Sequence, residues 1–249
     1  MKPTWVFVAG TYRTASTTQY RLTVDIVETA QRGIGIGYHT ENKLEEFDNC
    51  DNEFVVCKVF EPLWLGFQGN PSYGKKIFEE GRAKAIVTIR DPRDIITSMK
   101  KREEGRNKIG NPNDWDYKEI AMVNLCQWLG NLEKWINLGP ELCLVSPFEV
   151  MTTNLFEEAR RINSFLNMGL DDNTLKEIAQ NHTVAAIQKH KEKCKADGEK
   201  EDAHLPSIPD IVFGTSGHWR TELSESEIAM LEESNSDFMK KYGYLESVK

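Results

Sequence analysis

An apolar run near the start of the chain leads into a segment rich in hydroxyl side chains. Residues 5–9 favour a β-strand, Gly10-Thr-Tyr-Arg-Thr-Ala-Ser-Thr-Thr18 follows, and a helix-compatible stretch runs from about residue 17 to 31. Such a turn between a strand and a helix N-terminus favours anions, because its backbone N–H groups and the helix dipole both attract negative charge. The sequence therefore predicts an anion site here, and a simple connecting turn is the alternative.

The segment differs from the phosphate loop of nucleotide enzymes, GxxxxGK[ST]. Gly10 and Thr17 fit the first and last positions of that pattern, but Ala15 replaces the second glycine and Ser16 replaces the lysine. The cation lies earlier in the segment, at Arg13. The segment thus has the small residues of a phosphate loop and a relocated positive charge.

A second cluster of polar residues follows a predicted strand at residues 84–89. Arg90 lies where that strand ends, which is the edge at which open α/β sheets bind ligands. Asp91 can cap a helix that begins at Pro92, and Ser98 lies two helical turns beyond Arg90. The planar guanidinium suits a phosphate, and the serine adds a hydroxyl donor. Taken alone, an Arg–Asp surface pair beside a capped helix explains the cluster equally well.

Strands and helices alternate along the chain and would bring these residues to one edge. Further strands are predicted at residues 53–60 and 142–145, and residues 33–38 are either a weak strand or a loop. Helices are predicted at residues 73–81, 92–102, 117–136, 154–166, 170–180, 183–194 and, after the capping box that starts at Ser224, 224–242. The alternation predicts an α/β fold of three layers, with a central parallel sheet and a P-loop-like strand-loop-helix at the N-terminus.

The predicted organisation is a single domain over residues 1–249. Two charged stretches without a core pattern, residues 103–115 and about 189–209, are predicted to be surface loops, the second of them mobile. The loops at residues 33–52, 61–72 and 103–117 are expected to form the pocket for a second substrate, although they contain no pattern that specifies its chemistry.

Composition limits the classes of function. The 249 residues include 31 Lys+Arg and 39 Asp+Glu, so the net charge is −8, which argues against a general nucleic-acid binder. The longest apolar run, residues 5–9, is far shorter than the roughly 20 residues of a membrane span. The five cysteines and five histidines show no metal-ligand spacing. We therefore expect a cytoplasmic protein without a metal site, which binds anions at a local basic site.

Together the two segments resemble the sulfotransferases that use 3′-phosphoadenosine 5′-phosphosulfate (PAPS). In that family a strand-loop-helix of the form Lys/Arg-Ser-Gly-Thr-Thr binds the 5′-phosphosulfate, and Arg13-Thr-Ala-Ser-Thr17 matches it with conservative changes. A later element binds the 3′-phosphate, and Arg90, Pro92 and Ser98 match its arginine, proline and serine at the right spacing.

Three shorter segments are also similar to elements of the family. Gly214-Thr-Ser-Gly-His-Trp219 resembles a Gly-x-x-Gly-Asp-Trp element near the C-terminus. Phe148-Glu149 is similar to a Tyr-Glu step after a central strand, and Thr183-Val-Ala-Ala-Ile187 to a helix start that contacts the adenine. The resemblance extends from about residue 5 to the end of the chain.

The resemblance implies an enzyme that moves a sulfuryl group from PAPS to a hydroxyl or amine acceptor, releases 3′,5′-ADP and needs no metal. Arg13 is expected to act in catalysis. The residues expected to bind the co-substrate are Arg13, Thr14, Ala15, Ser16, Thr17, Thr18, Arg90, Ser98, Phe148, Thr183 and Gly214.

The chain departs from the family pattern at three places. Val212-Phe213 replaces a basic pair, and His218 stands where aspartate is usual. Residues 58–62 match a Lys-Thr-His-Leu-Pro stretch with Phe60 at the position of the catalytic histidine. Glu61 is then the expected general base, since branches that act on carbohydrates use a glutamate, with Lys58 and His218 as alternatives.

Two other functions stay open on the sequence. The first is a P-loop kinase or NTPase, in which Asp91 would hold a metal ion; the missing loop lysine and the Arg90–Ser98 spacing argue against it. The second is a nucleotide-binding protein of the same fold that has lost catalysis, which the replaced histidine and basic pair suggest.

Overall fold

A computed structural model of the chain describes residues 2–38, 44–60, 73–108, 122–197 and 215–245. Its strands form one sheet in the order β2-β3-β1-β4-β5, and all four neighbouring pairs are parallel. The strands are β1 (Thr4–Gly10), β2 (Gly33–Tyr38), β3 (Phe54–Val59), β4 (Ala83–Ile89) and β5 (Cys143–Pro147). The predicted α/β class and the parallel central sheet are confirmed.

Helices cover both faces of the sheet and give the predicted three layers. They are α1 (Ser16–Thr29), α2 (Leu44–Phe47), α3 (Tyr73–Glu79), α4 (Pro92–Lys108), α5 (Val123–Ile136), α6 (Phe148–Thr153), α7 (Leu155–Leu166), α8 (Asp172–Asn181), α9 (Val184–Asp197), α10 (Trp219–Glu222), α11 (Glu225–Ser234) and α12 (Ser236–Lys241). Helices α1, α7 and α8 pack on one face, while α2 to α5, α11 and α12 pack on the other. None of the helices in the described ranges is long and apolar enough to span a membrane.

Strand β1 lies at the centre of the sheet and is buried on both faces. Trp5 and Phe7 belong to one apolar core, and Val6 and Val8 belong to the other. A strand buried on both sides needs a continuous apolar run rather than an alternating one, which is why residues 5–9 stand out in the sequence.

Residues 33–38, for which the sequence allows either a weak strand or a loop, form strand β2. Its alternating glycines give a weak apolar pattern, but they allow the strand to approach helix α1 closely. A Cβ atom on Gly35 would lie 2.5 Å from a methyl group of Val24 on that helix. The Tyr20 hydroxyl also accepts a hydrogen bond of 2.6 Å from the Gly37 amide.

Three predicted boundaries need correction. Helix α4 continues to Lys108, so the first part of the loop predicted at residues 103–115 is helical. The loop predicted at residues 189–209 is likewise helical up to Asp197, because residues 189–197 are mostly good helix formers. The last predicted helix is two helices with Asn235 between them, where the Asn235 side chain donates a 2.9 Å bond to the Leu231 carbonyl. The remainder of both loops lies outside the described residues.

A buried carboxylate ties the amino-terminal edge of the sheet together. Asp48 accepts hydrogen bonds from Trp5 Nε1 at 3.0 Å and from Arg82 Nη1 at 2.7 Å, and also from the Tyr73 hydroxyl. Burial by itself would raise the pKa of Asp48, but these donors and Lys2 hold it well below its usual range. Asp48 is therefore ionised in the fold.

The register of the sheet brings the predicted site segments together. Ala9 on β1 pairs with Val59 on β3, and Gly10 pairs with Thr88 on β4. The carboxyl ends of these three strands therefore lie side by side, at the edge where α/β sheets bind their ligands.

Candidate active site

A cavity of about 630 Å³ opens at the carboxyl edge of the sheet. This volume is within the usual range for small-molecule sites. The described residues that line it are Thr11, Tyr12, Arg13, Ala15, Ser16, Thr17, Thr18, Lys58, Phe60, Arg90, Ser98, Arg102, Phe148, Met151, Thr152, Thr153, Leu155, His182, Thr183, Val184, Ile187 and Thr215.

The loop between β1 and α1 has the backbone of an anion-binding turn. Arg13 and Ala15 both have positive φ values, 66° and 63°, and left-handed residues of this kind direct successive N–H groups into a concave surface. Ala15 is the N-cap of α1, and no side chain caps the helix there. The first N–H groups of a 14-residue helix are therefore available to an anion at the cavity wall.

Gly10 is required where the loop leaves the sheet. A Cβ atom at this position would lie 2.1 Å from Thr88 Oγ1 and 2.7 Å from Thr14 Oγ1. The Thr14 hydroxyl is buried, bonds to Thr88 Oγ1 at 2.8 Å and donates to the Thr11 carbonyl at 2.9 Å. Thr14 thus lies behind the loop rather than in the cavity wall, and its hydroxyl fixes the shape of the loop.

Arg90 is a buried cation at the end of β4. Arg90 is only 2% exposed. Its Nη1 donates to the Arg13 carbonyl at 2.8 Å, and its Nη2 donates to the Thr215 carbonyl at 3.3 Å. Its Nε is buried with no hydrogen-bond partner among the described residues. The guanidinium stacks 3.8 Å above the Phe148 ring. Burial lowers its pKa, but an arginine stays charged in proteins, so a buried donor of this kind favours an anionic ligand.

The first turns of α4 bring Ser98 into contact with the loop. Arg13 Nε donates to Ser98 Oγ over 2.9 Å, although the two residues are 85 positions apart in the sequence. Arg102 follows Ser98 by one helical turn and lines the same cavity. Helix α4 therefore folds back over the end of β4, as a ligand shared by Arg90 and Ser98 requires.

Lys58 reaches the cavity from β3, on the other side of β1. Its Nζ donates to Thr17 Oγ1 at 2.6 Å and lies 5.8 Å from the centre of the Phe60 ring. Burial lowers the pKa of the Lys58 ammonium to about 8. The side chain can therefore exchange a proton near neutral pH.

The segment after residue 214 is bound to α4 through a carboxylate. Asp94 accepts hydrogen bonds from the Gly217 amide at 2.6 Å and the Trp219 amide at 3.3 Å. The neighbouring Arg93 stacks 3.8 Å above the Trp219 ring and bonds to both oxygens of Asp91. The backbone amide of Arg93 also donates to Asp91, so both carboxylate oxygens of Asp91 have partners. Asp91 does not line the cavity.

Helices α6 and α9 complete the wall opposite the loop. Phe148 and Thr183 line the cavity, and the Thr183 hydroxyl accepts from the Ala186 amide at the start of α9. The adjoining His182 is held by a 2.8 Å contact between its Nε2 and Asp25 Oδ2. Burial raises the pKa of Glu149, which accepts a hydrogen bond from the Tyr244 hydroxyl behind Arg90.

Nine of the predicted site residues meet in this one cavity. They are Arg13, Ala15, Ser16, Thr17, Thr18, Arg90, Ser98, Phe148 and Thr183. Glu61, Gly214 and the Val212-Phe213 pair lie outside the described residues. His218, the alternative base, is not in the cavity wall, and its Nε2 lies 2.7 Å from Thr215 Oγ1.

Thirteen of the 22 described lining residues were not among the predicted site residues. Lys58, which the sequence prediction considered only as an alternative base, could have been found as the one charge within the apolar run of β3. Arg102 could have been found from its one-turn spacing from Ser98. Tyr12 lies within the predicted anion-binding segment, Phe60 stands at the position of the family's catalytic histidine, and His182 directly precedes the segment 183–187, so all three lie in or beside patterns already noted.

The cavity is positively charged, whereas the protein as a whole is negatively charged. Its lining includes Arg13, Lys58, Arg90 and Arg102, and no Asp, Glu, Asn or Gln among the described residues. The chain as a whole carries a net charge of −8. A local basic cavity in an acidic protein attracts an anionic ligand.

Comparison with known proteins identifies the family. Residues 70–243 match the model of the sulfotransferase domain, which is more than half of the chain. The chain therefore belongs to the sulfotransferase family. No curated protein sequence matches it.

Solved structures share the fold at low identity. A mouse sulfotransferase complexed with PAP superposes with a TM-score of 0.68 and 15% identity, covering 95% of this chain and 84% of the other. Retinol dehydratase in complex with androsterone and the inactive cofactor PAP gives a TM-score of 0.62 and 18% identity, covering 96% and 82%. At these identities the similarity is one of fold.

Proposed function

We propose that the chain is an enzyme that transfers a sulfuryl group from PAPS to a hydroxyl or amine acceptor and releases 3′,5′-ADP. The observation that supports this most directly is the cavity with four cationic side chains and no carboxylate or amide among its described lining residues. Membership of the sulfotransferase family supports the reaction type. The mouse relative is crystallised with PAP, which supports PAPS as the donor.

Arg90 and Ser98 are the proposed 3′-phosphate site. Arg90 has a buried Nε with no described partner, and an arginine–phosphate contact would supply one. Ser98 is already within hydrogen-bond distance of Arg13, so one phosphate could contact both helix α4 and the loop. Phe148 stacks on Arg90 and Thr183 lines the same cavity, and both are proposed to contact the adenosine. Gly214 remains a proposed contact from the sequence.

The loop is the proposed site of the 5′-phosphosulfate. PAPS supplies the sulfuryl group as a mixed anhydride with this phosphate. Ala15, Ser16, Thr17 and Thr18 offer the uncapped N–H groups of α1, and Arg13 adds a charge that stabilises the leaving phosphate oxygen. Thr14 acts indirectly, since its hydroxyl fixes the loop. Lys58, bonded to Thr17, is placed to neutralise the same oxygen.

Glu61 is retained as the proposed general base that accepts the proton of the acceptor. Glu61→Gln keeps the shape of the side chain and removes the proton acceptor, so turnover should fall about a hundredfold or more while 3′,5′-ADP binds normally. Turnover close to that of the wild type would transfer the role to Lys58, which lines the cavity.

The kinase alternative has less support. The carboxylate that would hold its metal ion, Asp91, forms a bidentate pair with Arg93 away from the cavity. Sulfuryl transfer brings fewer anionic charges together than triphosphate chemistry, so arginine and lysine can supply the neutralisation.

Calorimetry with 3′,5′-ADP and 5′-AMP tests the proposal. The wild type should bind 3′,5′-ADP about tenfold or more tightly than 5′-AMP, because a charge-assisted phosphate contact contributes about 1.5–3 kcal/mol. Ser98→Ala and Arg90→Ala should reduce this preference. Arg160→Ala, which removes a cation from the exposed side of α7, is the control. Equal affinity of the wild type for both nucleotides would refute the assignment.

Turnover separates an enzyme from an inactive binding protein. Arg13→Ala should lower kcat more than it weakens 3′,5′-ADP binding, because Arg13 is assigned to charge that develops in the transition state. Arg13→Lys should keep partial activity. If binding and kcat fell by the same factor, Arg13 would be only a phosphate contact in the ground state.

A further inference from the structure

Arg102 continues a face of helix α4 that already holds two parts of the site. Asp94, Ser98 and Arg102 follow one another at intervals of four residues, which places them on one side of the helix. Asp94 accepts from the Gly217 amide at 2.6 Å, and Ser98 accepts from Arg13 Nε at 2.9 Å. Arg102 is the next residue of this face, and it lines the cavity.

The two cations that precede Arg102 on α4 bond elsewhere. Lys100 Nζ donates to the Glu222 carbonyl at 2.8 Å. Lys101 Nζ lies 2.6 Å from Glu222 Oε2 and 3.4 Å from Glu104 Oε2. Neither lysine is among the described residues that line the cavity. Of these three consecutive cations, the helix therefore presents Arg102 to the cavity.

The proposed 3′-phosphate needs more positive charge than Arg90 provides. A phosphate monoester carries a charge of about −1.5 to −2 at pH 7, and Ser98 is neutral. Burial lowers the pKa of Arg90, and nearby carboxylates raise it. These carboxylates belong to Asp94, Glu149 and Asp91. Part of the arginine charge is thus already balanced within the protein, and a dianion at this place requires a second cation.

The other cations of the cavity narrow the choice to Arg102. Lys58 bonds to the first turn of α1 and Arg13 lies in the loop, and both are assigned to the 5′-phosphosulfate. Val212-Phe213, where the family pattern has a basic pair, carries no charge. Arg102 stands one helical turn from Ser98, so the Cβ atoms of the two residues are about 5–6 Å apart. An arginine side chain is long enough to reach a phosphate that contacts Ser98.

We propose that Arg102 is the second cation of the 3′-phosphate site and that, together with Arg90, it makes the cavity selective for nucleotides that carry a 3′-phosphate. This inference rests on the proposed use of PAPS. The planar guanidinium can donate two hydrogen bonds to two oxygens of one phosphate. Its role is in binding, because the 3′-phosphate does not change during sulfuryl transfer and is held equally before and after it.

Calorimetry with three nucleotides locates the contact. 3′,5′-ADP carries both phosphates, 3′-AMP carries only the 3′-phosphate, and 5′-AMP carries only the 5′-phosphate. Arg102→Gln should weaken binding of 3′,5′-ADP and 3′-AMP about tenfold or more, the factor of one charge-assisted hydrogen bond, and should change that of 5′-AMP less than about twofold. Retained binding of 5′-AMP also shows that the variant is folded.

Two further variants control for charge and for side-chain shape. Lys101→Gln removes the same charge from the adjacent position of α4, where the lysine pairs with Glu222, and should leave all three affinities unchanged. Arg102→Lys keeps the charge and loses the planar fork. Its affinities for 3′,5′-ADP and 3′-AMP should therefore lie between those of the wild type and those of Arg102→Gln.

The pattern of affinities separates failure of this inference from failure of the proposed function. If the wild type binds 3′,5′-ADP no more tightly than 5′-AMP, the proposed 3′-phosphate site is wrong and the role of Arg102 is wrong with it. If the wild type prefers 3′,5′-ADP and Arg102→Gln keeps the whole preference, the assignment of Arg102 alone is wrong. Equal losses of 3′-AMP and 5′-AMP binding in Arg102→Gln would also overturn it, because the effect would not be specific to the 3′-phosphate.

Discussion

Lys58 allows a quantitative test of the electrostatics of the cavity. Burial lowers its pKa from 10.5 to about 8, and one pH unit corresponds to about 1.4 kcal/mol. Below pH 8, holding the ammonium in the wall therefore costs about 3 kcal/mol relative to the unfolded chain. This cost decreases as the pH rises from 8 towards 10.5, because the folded protein releases the proton before the unfolded chain does.

Lys58→Met keeps the unbranched apolar part of the side chain and removes the charge. The variant should be more stable than the wild type by about 2–3 kcal/mol at pH 7, since the lost bond to Thr17 offsets part of the gain. The difference should shrink towards pH 10.5. The same variant should lose most of its sulfuryl-transfer activity, because it removes the cation that is proposed to neutralise the leaving oxygen.

Urea unfolding at steps between pH 7 and pH 10.5 measures this difference. Other tyrosines, cysteines and lysines titrate in both proteins, so the difference between wild type and variant isolates Lys58. Lys75→Met, at an exposed position on α3, is the control for the substitution itself. A difference that stays constant over the whole range, or a variant less stable than the wild type at pH 7, would refute the reasoning.

Three further predictions concern stability and can be measured by the same denaturation. Ala15→Gly should stabilise the fold by about 0.5–1 kcal/mol. The change relieves a left-handed conformation that costs a non-glycine residue about 1–2 kcal/mol, and the larger conformational entropy of glycine in the unfolded chain offsets about 0.4–1 kcal/mol of this gain. Lower stability of the variant would contradict the prediction. Gly10→Ala should destabilise by about 1–3 kcal/mol, since the new Cβ would lie 2.1 Å from Thr88 Oγ1, and an unchanged unfolding midpoint would show that the loop adjusts freely. Asp48→Asn should cost about 1.5–3 kcal/mol at pH 7, because it removes the charge of the buried carboxylate that accepts from Trp5, Tyr73 and Arg82, while Arg82 keeps its ion pair with Glu80. Because the pKa of Asp48 is depressed, the gap should narrow as the pH falls below about 4, and a gap that is the same at pH 3 and pH 7 would argue against an ionised Asp48.

The sequence predicted the parts of the fold where one local pattern dominates. Strand β1 is a continuous apolar run with a glycine at its end, and α4 begins with an aspartate and a proline, so both were predictable. Strand β2 was not, because its glycines fit against Val24 of α1 and that contact exists only in the folded protein. The break at Asn235 also depends on a side-chain bond to Leu231 that no pattern indicates.

The same distinction applies to the site. The loop and the Arg90–Ser98 element follow a family pattern, so their residues could be named from the sequence. The meeting of Arg13 with Ser98 and the stacking of Tyr12 on Phe60 join residues that are distant along the chain. Pairings of this kind follow from the strand order, which the alternation of strands and helices leaves open.

The strand order β2-β3-β1-β4-β5 has a consequence for how this protein could be changed. Most of the proposed nucleotide residues follow β1, β4 and β5, whereas Tyr38 ends β2 and Phe60 follows β3. Mutagenesis or segment exchange confined to those two strand ends would therefore change the β2–β3 side of the cavity while leaving β1, β4 and β5 untouched. Lys58 on β3 bonds to Thr17 on the helix after β1, so a change at Lys58 would affect both sides of the cavity.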